Sequence, residues 1–118
     1  MESSFQLEVR SEDRAAVIVV SGELDLASAP TLEEELERCA ANGAELLILD
    51  LRELQFIDST GLGLLIKAHR QAESTGRKFA IVRGQSQVQR LLGLTGIEDR
   101  LTLINSPEEL LGAPGGAD

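Results

Sequence analysis

The sequence predicts an α/β fold: one domain on a mostly parallel sheet of about five strands with about four helices, ordered β-β-α-β-α-β-α-β-α. Three observations carry this reading. Short aliphatic or β-branched runs, among them Ala15–Val20, Leu46–Leu51 and Phe79–Val82, have the character of buried strands. Segments with apolar residues at helical spacing separate them. The 118-residue length suits a single domain whose hydrophobic core needs no staples.

The elements follow in order. Phe5-Gln6-Leu7-Glu8-Val9 alternates with period two, as a half-buried strand does, and Arg10 to Arg14 reads as a polar hairpin turn. Ala15–Val20 then forms a central strand, and Ser21-Gly22-Glu23-Leu24-Asp25 reads as a turn. A helix opens near Ser28 to Pro30, since proline is tolerated in a first turn. Leu32, Leu36, Cys39 and Ala40 form its buried stripe, while Glu33, Glu34, Glu35 and Glu37 face water or the positive end of the dipole. Asn42-Gly43 stops it.

Glu45 to Leu51 is the next strand, followed by a helix whose inward stripe is Leu62, Leu65, Ile66, His69 and Ala72. Leu64 and Ala68 fall off that stripe by roughly a third of a turn at about 100° per residue. Two readings stay open for them, ordinary surface residues or the apolar centre of a partner contact. Thr75-Gly76-Arg77-Lys78 ends the helix and Phe79–Val82 is a strand. A further helix carries Val88, Leu91 and Leu92 between Gly84 and Gly96. Leu101–Ile104 is the last strand, and Ser106 and Pro107 start a short helix as N-cap and first residue. The domain is expected to span 1–111, with the Gly/Pro-rich segment 112–118 as a flexible C-terminal tail.

Composition narrows the function. A formal charge of −9 argues against a nucleic-acid surface, which needs clustered Lys and Arg, and suits a basic protein partner. The polar start Met1-Glu2-Ser3-Ser4 lacks the basic and apolar regions of a secretory signal. No run reaches the ~18 apolar residues of a membrane span, so a cytoplasmic protein without direct membrane insertion is expected. Cys39 is the single cysteine, and its place on an apolar stripe reads as a packed thiol. His69, the single histidine, has no evident catalytic partner nearby in sequence and reads as a packing or edge residue. No metal site and no cofactor are expected.

The most informative stretch is Phe56-Ile57-Asp58-Ser59-Thr60-Gly61-Leu62-Gly63, at a strand-to-helix junction. Asp and Ser suit such a place because their oxygens accept hydrogen bonds from the unpaired first-turn N–H groups. A serine-hydrolase elbow needs glycine two residues before the serine, where Ile57 stands. A dinucleotide fingerprint needs a third glycine after Gly61-Leu62-Gly63, and no Gly-Lys-Ser/Thr of a P-loop occurs. From the residues alone two readings remain: a plain helix cap, or an exposed hydroxyl presented for modification by another protein. Loops at the carboxyl ends of parallel strands gather on one edge, so this junction and the segment after Val20 are expected to converge.

Gly22-Glu23-Leu24-Asp25 together with Phe56–Gly63 resembles the STAS domain. More narrowly, it is similar to the bacterial anti-sigma-factor antagonists switched by serine phosphorylation, over about Phe5 to Leu111. The resemblance implies that Ser59, or less readily Thr60, is phosphorylated by an anti-sigma serine kinase using Mg-ATP. It implies that Asp25 lies near the phosphosite and supports partner binding, with Glu23, Asp58, Thr60, Gly61 and Leu64 in the docking surface. Unphosphorylated, such a protein binds the kinase and frees a sigma factor; a serine phosphatase resets the cycle. It is then a substrate and binding module, not an enzyme, with no catalytic residue of its own. The rival roles on the same fold are a stressosome scaffold and a cytoplasmic accessory subunit of a membrane transporter. A receiver-like domain would need a lysine near the last strand, and Leu101 to Ser106 has none.

Overall fold

The computed structural model describes residues 5–111, so the predicted tail at 112–118 lies outside the described residues. The chain forms strands β1 (Gln6–Glu12), β2 (Ala15–Leu24), β3 (Leu46–Asp50), β4 (Leu54–Ile57), β5 (Lys78–Val82) and β6 (Leu103–Ile104). Helices α1 (Ala29–Ala41), α2 (Ser59–Ser74), α3 (Ser86–Leu94) and α4 (Glu108–Leu111) connect or follow them, with a 3₁₀ turn at Ile97–Arg100. The main sheet runs β1-β2-β3-β5-β6, parallel except for β1, which pairs with β2 as an antiparallel hairpin.

The predicted mostly parallel α/β architecture is the one observed, with one strand more than expected. The addition is β4, which lies in parallel beside Gly22–Leu24 of β2. Leu54 and Ile57 are buried while Gln55 and Phe56 are exposed, a pattern that breaks period two and hides so short a strand from a sequence reading. β4 also corrects the expected turn at Ser21–Asp25. With β4 as neighbour, β2 continues as a strand to Leu24, and the turn begins only at Asp25. A register shift falls between Gly22 and Glu23, and Gly22 takes a left-handed φ of 88° there, which glycine permits without strain. The first hairpin is likewise tighter than expected. β1 extends to Glu12, leaving Asp13 (φ 56°) and Arg14 as the turn instead of Arg10–Arg14.

Alternation along the strands sends side chains to two faces. Ala16, Ile18, Val20, Leu47, Leu49 and Ile81 meet the apolar stripes of α1, α2 and α3 in the main core. Val17, Ile48, Ala80, Val82 and Ile104 form a second cluster on the other face, where Leu111 of α4 packs. Asp50 ends β3 on that second face. Its buried carboxylate accepts from the Arg52 guanidinium (Nε at 3.0 Å, Nη2 at 2.6 Å) and from the Arg52 backbone N–H, so the charge is paired. α1 buries Leu32, Leu36 and Cys39 as expected; Glu33 and Glu35, however, are half-buried and pair with Lys67 and Arg38.

The inward face of α2 differs from expectation. Leu64 and Ala68, assigned off the stripe, are both 7% exposed and belong to the main core, while Ile66 and His69 are only half-buried. The reason is that α2 packs on two partners at once, the sheet and α1. A helix with two neighbours buries a wider arc than the single stripe a periodicity argument assumes. His69 acts as an edge residue, its ring 6.3 Å from that of Phe79 and Nε2 3.5 Å from Glu73.

Candidate functional site

Two strand ends meet at one edge of the sheet. β2 and β4 run side by side, Glu23 opposite Phe56 and Leu24 opposite Ile57, so the loop after β2 and the helix after β4 emerge together. The Asp58 N–H donates to the Leu24 carbonyl at 3.1 Å and completes the join. The convergence expected from topology is therefore present, although it involves Asp25–Ser28 instead of the whole Ser21–Asp25 segment.

Asp58 is the N-cap of α2. Its backbone is extended, and its Oδ1 accepts from the Gly61 N–H at 3.0 Å. Oδ2 accepts from the Leu26 N–H at 3.2 Å, tying the loop after β2 to the helix start. Both oxygens are thus engaged with backbone donors. Ser59 is the first helical residue, exposed, followed by exposed Thr60. Among the described residues neither hydroxyl makes a hydrogen bond. Because Asp58 takes the capping role, the Ser59 hydroxyl is left available for chemistry.

Asp25 shapes the neighbouring loop. Its Oδ1 accepts from the N–H groups of Ala27 and Ser28, both at 3.1 Å, an Asx-turn arrangement. The buried Ser28 hydroxyl accepts from the Asp25 N–H at 2.9 Å, and its single proton has two acceptors in reach, the Glu23 carbonyl at 2.8 Å and Asp25 Oδ1 at 3.1 Å. This closed set holds Leu26 where its N–H meets Asp58. The Glu23 side chain is exposed beside Phe56.

Gly61 is required by space. A Cβ there would lie 2.7 Å from Ile57 Cγ1 and 2.9 Å from the Leu24 carbonyl oxygen. Any side chain would push α2 off the strand ends. Gly63, two residues on and roughly on the opposite side of the helix, faces open space.

Leu64 does not present itself as a surface contact; it forms the buried floor of a groove between α1 and α2 of about 230 Å³. Leu26, Pro30, Thr60 and Gly63 line the groove, and the Glu33–Lys67 ion pair borders it. Donating its hydrogen bond to the Glu33 carboxylate raises the Lys67 ammonium above its usual range. Two apolar side chains stand exposed at this edge, Leu26 at 73% and Phe56 at 47%. Both lie in stretches the sequence singles out, but their exposure was not legible there: Leu26 lies in a loop with no periodicity to read, and Phe56 lies in the strand that was not recognised. Among the described residues no cluster of His, Cys, Asp or Glu could hold a metal ion, and no helix is long and apolar enough to cross a membrane.

Comparison with known proteins bears on the family and the fold. The model of the STAS domain matches residues 6–110. The anti-sigma-B factor antagonist of Bacillus subtilis (strain 168) is 29% identical over 96 residues, covering 81% of this chain and 87% of the relative. That of Staphylococcus aureus (strain NCTC 8325 / PS 47) is 28% identical over 96 residues, covering 81% and 89%. The crystal structure of an anti-sigma factor antagonist from Mycobacterium paratuberculosis superposes with a TM-score of 0.81 at 28% identity, covering 92% of each chain. With the hairpin, the parallel sheet and the capped Ser59 helix all inside the matched region, this chain belongs to the STAS domain family.

Proposed function

We propose that this protein is an anti-sigma-factor antagonist whose switch is the Ser59 hydroxyl. One observation carries the reading: Ser59 stands exposed and without a hydrogen bond among the described residues, at the start of a helix whose cap is supplied by its neighbour Asp58. The relatives named anti-sigma-B factor antagonists support it. Unphosphorylated, the edge formed by Glu23, Asp25, Leu26, Asp58, Thr60 and Gly61 docks on an anti-sigma serine kinase in the cytoplasm and so frees a sigma factor. Leu64 contributes from beneath, as the floor that shapes the groove beside it.

The kinase holds Mg-ATP. The Ser59 Oγ attacks the γ-phosphorus, the bond to the bridging oxygen of ADP breaks, and the serine proton passes to a base on the kinase. Asp58 is poorly placed to be that base, because each of its oxygens already accepts a backbone N–H. The new group carries about −1.5 to −2 charges at neutral pH. The N-terminus of α2 favours it by about 0.3–1 kcal/mol, while Asp58, Asp25 and Glu23 oppose it, so the fold has no cause to change. The interface does, since a dianion has to be desolvated there. A loss of about 3 kcal/mol lowers affinity more than a hundredfold, enough for release. A serine phosphatase then hydrolyses the ester. In this cycle the protein is a substrate and a binding module, not an enzyme.

The test is phosphosite mapping by intact and peptide mass spectrometry of protein recovered from its own cells, with Ser59→Ala beside it. Modification at Ser59, absent in the variant, together with constitutive binding of the variant to a kinase, is the expected result. Protein that stays unmodified across growth and stress conditions, held in a membrane complex, sinks the proposal and favours the transporter-subunit role. Ser59→Asp should weaken the complex, less than a phosphate does because it carries one charge.

A further inference from the structure

β1 ends the sheet. Among the described residues its only strand neighbour is β2, so the opposite row of backbone donors and acceptors has no strand against it. Such edges are usually blunted by proline, by a bulge, by extreme shortness or by charged side chains. Of these β1 has only charges, Glu8, Arg10 and Glu12, and they are of both signs. It contains no proline, its seven residues pair with β2 in unbroken register from Gln6↔Ser21 to Glu12↔Ala15, and the register shift of β2 lies beyond it.

The side chains of this strand are arranged for a particular neighbour. Leu7 and Val9 stand opposite Val20 and Ile18, on the face that carries the main core, yet Val9 remains 37% exposed at the rim. Glu8 and Arg10 stand opposite Val19 and Val17 on the other face; both are exposed, and neither makes an ion pair among the described residues. Reversing the strand about Val9 places Glu8 against Arg10, Arg10 against Glu8, Val9 against Val9 and Gln6 against Glu12. Opposite charges directly across an antiparallel pair attract, and like charges repel. The sequence Glu8-Val9-Arg10 is therefore complementary to itself, and only when two copies run antiparallel.

We propose that β1 is a homodimerisation edge, on which a second copy of this chain pairs antiparallel about a two-fold axis at Val9. The two sheets then join into one, and the interface is isologous, each Glu8 meeting the partner's Arg10. The partner's Val9 covers the rim position that a single chain leaves exposed. The pairing does not involve Ser59, so it stands or falls independently of the proposed function. The overall charge of −9 per chain works against association at low salt, and screening at physiological ionic strength removes most of that long-range repulsion while the contacting pairs persist.

Charge exchange tests the register as well as the dimer. Mass in solution is measured by light scattering and native mass spectrometry on the full chain, from micromolar to millimolar concentration, with circular dichroism confirming that each variant is folded. The wild type is expected to reach twice the 12.7 kDa chain mass. Glu8→Arg alone sets Arg against Arg, and Arg10→Glu alone sets Glu against Glu, so each should be monomeric. Mixing the two single variants should give a heterodimer, and the double exchange E8R/R10E should restore the homodimer. A wild type that stays monomeric throughout overturns the proposal. So does a dimer that survives both single exchanges, or a mixture that forms no heterodimer.

Discussion

The carboxylate of Asp58 reaches across from α2 to accept the backbone N–H of Leu26 at 3.2 Å, while its other oxygen caps Gly61 at 3.0 Å. One side chain thus holds the loop after β2 and the start of α2 in register. The geometry around Ser59 depends on this double contact more than on any property of the serine.

Asp58→Ala should therefore do more than a typical cap deletion. Loss of an N-cap costs about 0.5–2 kcal/mol, and the Leu26 N–H loses its acceptor in the same step. Urea unfolding should show destabilisation at the upper end of that range. Asp58→Asn retains one acceptor oxygen and should lie between the variant and the wild type. Equal stability of all three proteins would show that the cap is dispensable.

The two glycines of α2 should respond in opposite directions. Gly61→Ala places a methyl group 2.7 Å from Ile57 Cγ1 and against the Leu24 backbone, so overpacking of about 1–3 kcal/mol is expected. Gly63→Ala meets nothing within 4 Å and should stabilise the helix by about 0.5–1 kcal/mol. Thermal melts of the pair settle the matter, and a destabilising Gly63→Ala would contradict the open space seen there.

Leu64→Ala should lower the melting temperature clearly, since Leu-to-Ala changes in a core cost about 2–5 kcal/mol and Leu64 is buried between α1 and α2. An unchanged melting temperature with weakened kinase binding would instead make Leu64 the partner contact that was one of the two readings its helical phase left open.

Cys39 predicts an alkaline limb in stability. Burial, reinforced by the Glu35 carboxylate, raises its thiol above the ordinary cysteine range. The unfolded chain then loses its proton first. The resulting stability is present in full below about pH 9 and falls as pH rises toward the folded value. Denaturant titrations between neutral and alkaline pH should show a steeper decline in the wild type than in Cys39→Ala. Parallel declines would mean that the thiol titrates alike in both states.

Much of this protein could be read from its residues. Ala15–Val20, Leu46–Asp50 and Phe79–Val82 were legible as strands because aliphatic runs between turn residues have few other uses. Leu32, Leu36 and Cys39 were legible because α1 presents one stripe to one partner. Asp58, Ser59 and Gly61 announced a helix start by their chemistry. The tertiary structure alone decided what depended on neighbours distant in sequence. β4 exists because Gly22–Leu24 lie beside it, and β2 outruns its expected end for the same reason. Leu64 is buried because α1 lies across α2, a contact that no periodicity within α2 encodes. The division between cap and available hydroxyl was decided the same way. Asp58 and Ser59 both had oxygens suited to the cap, and Asp58 also receives the Leu26 N–H, 32 residues away along the chain. Local propensity describes what one segment prefers; which of several acceptable arrangements forms is determined by the groups that folding brings against it.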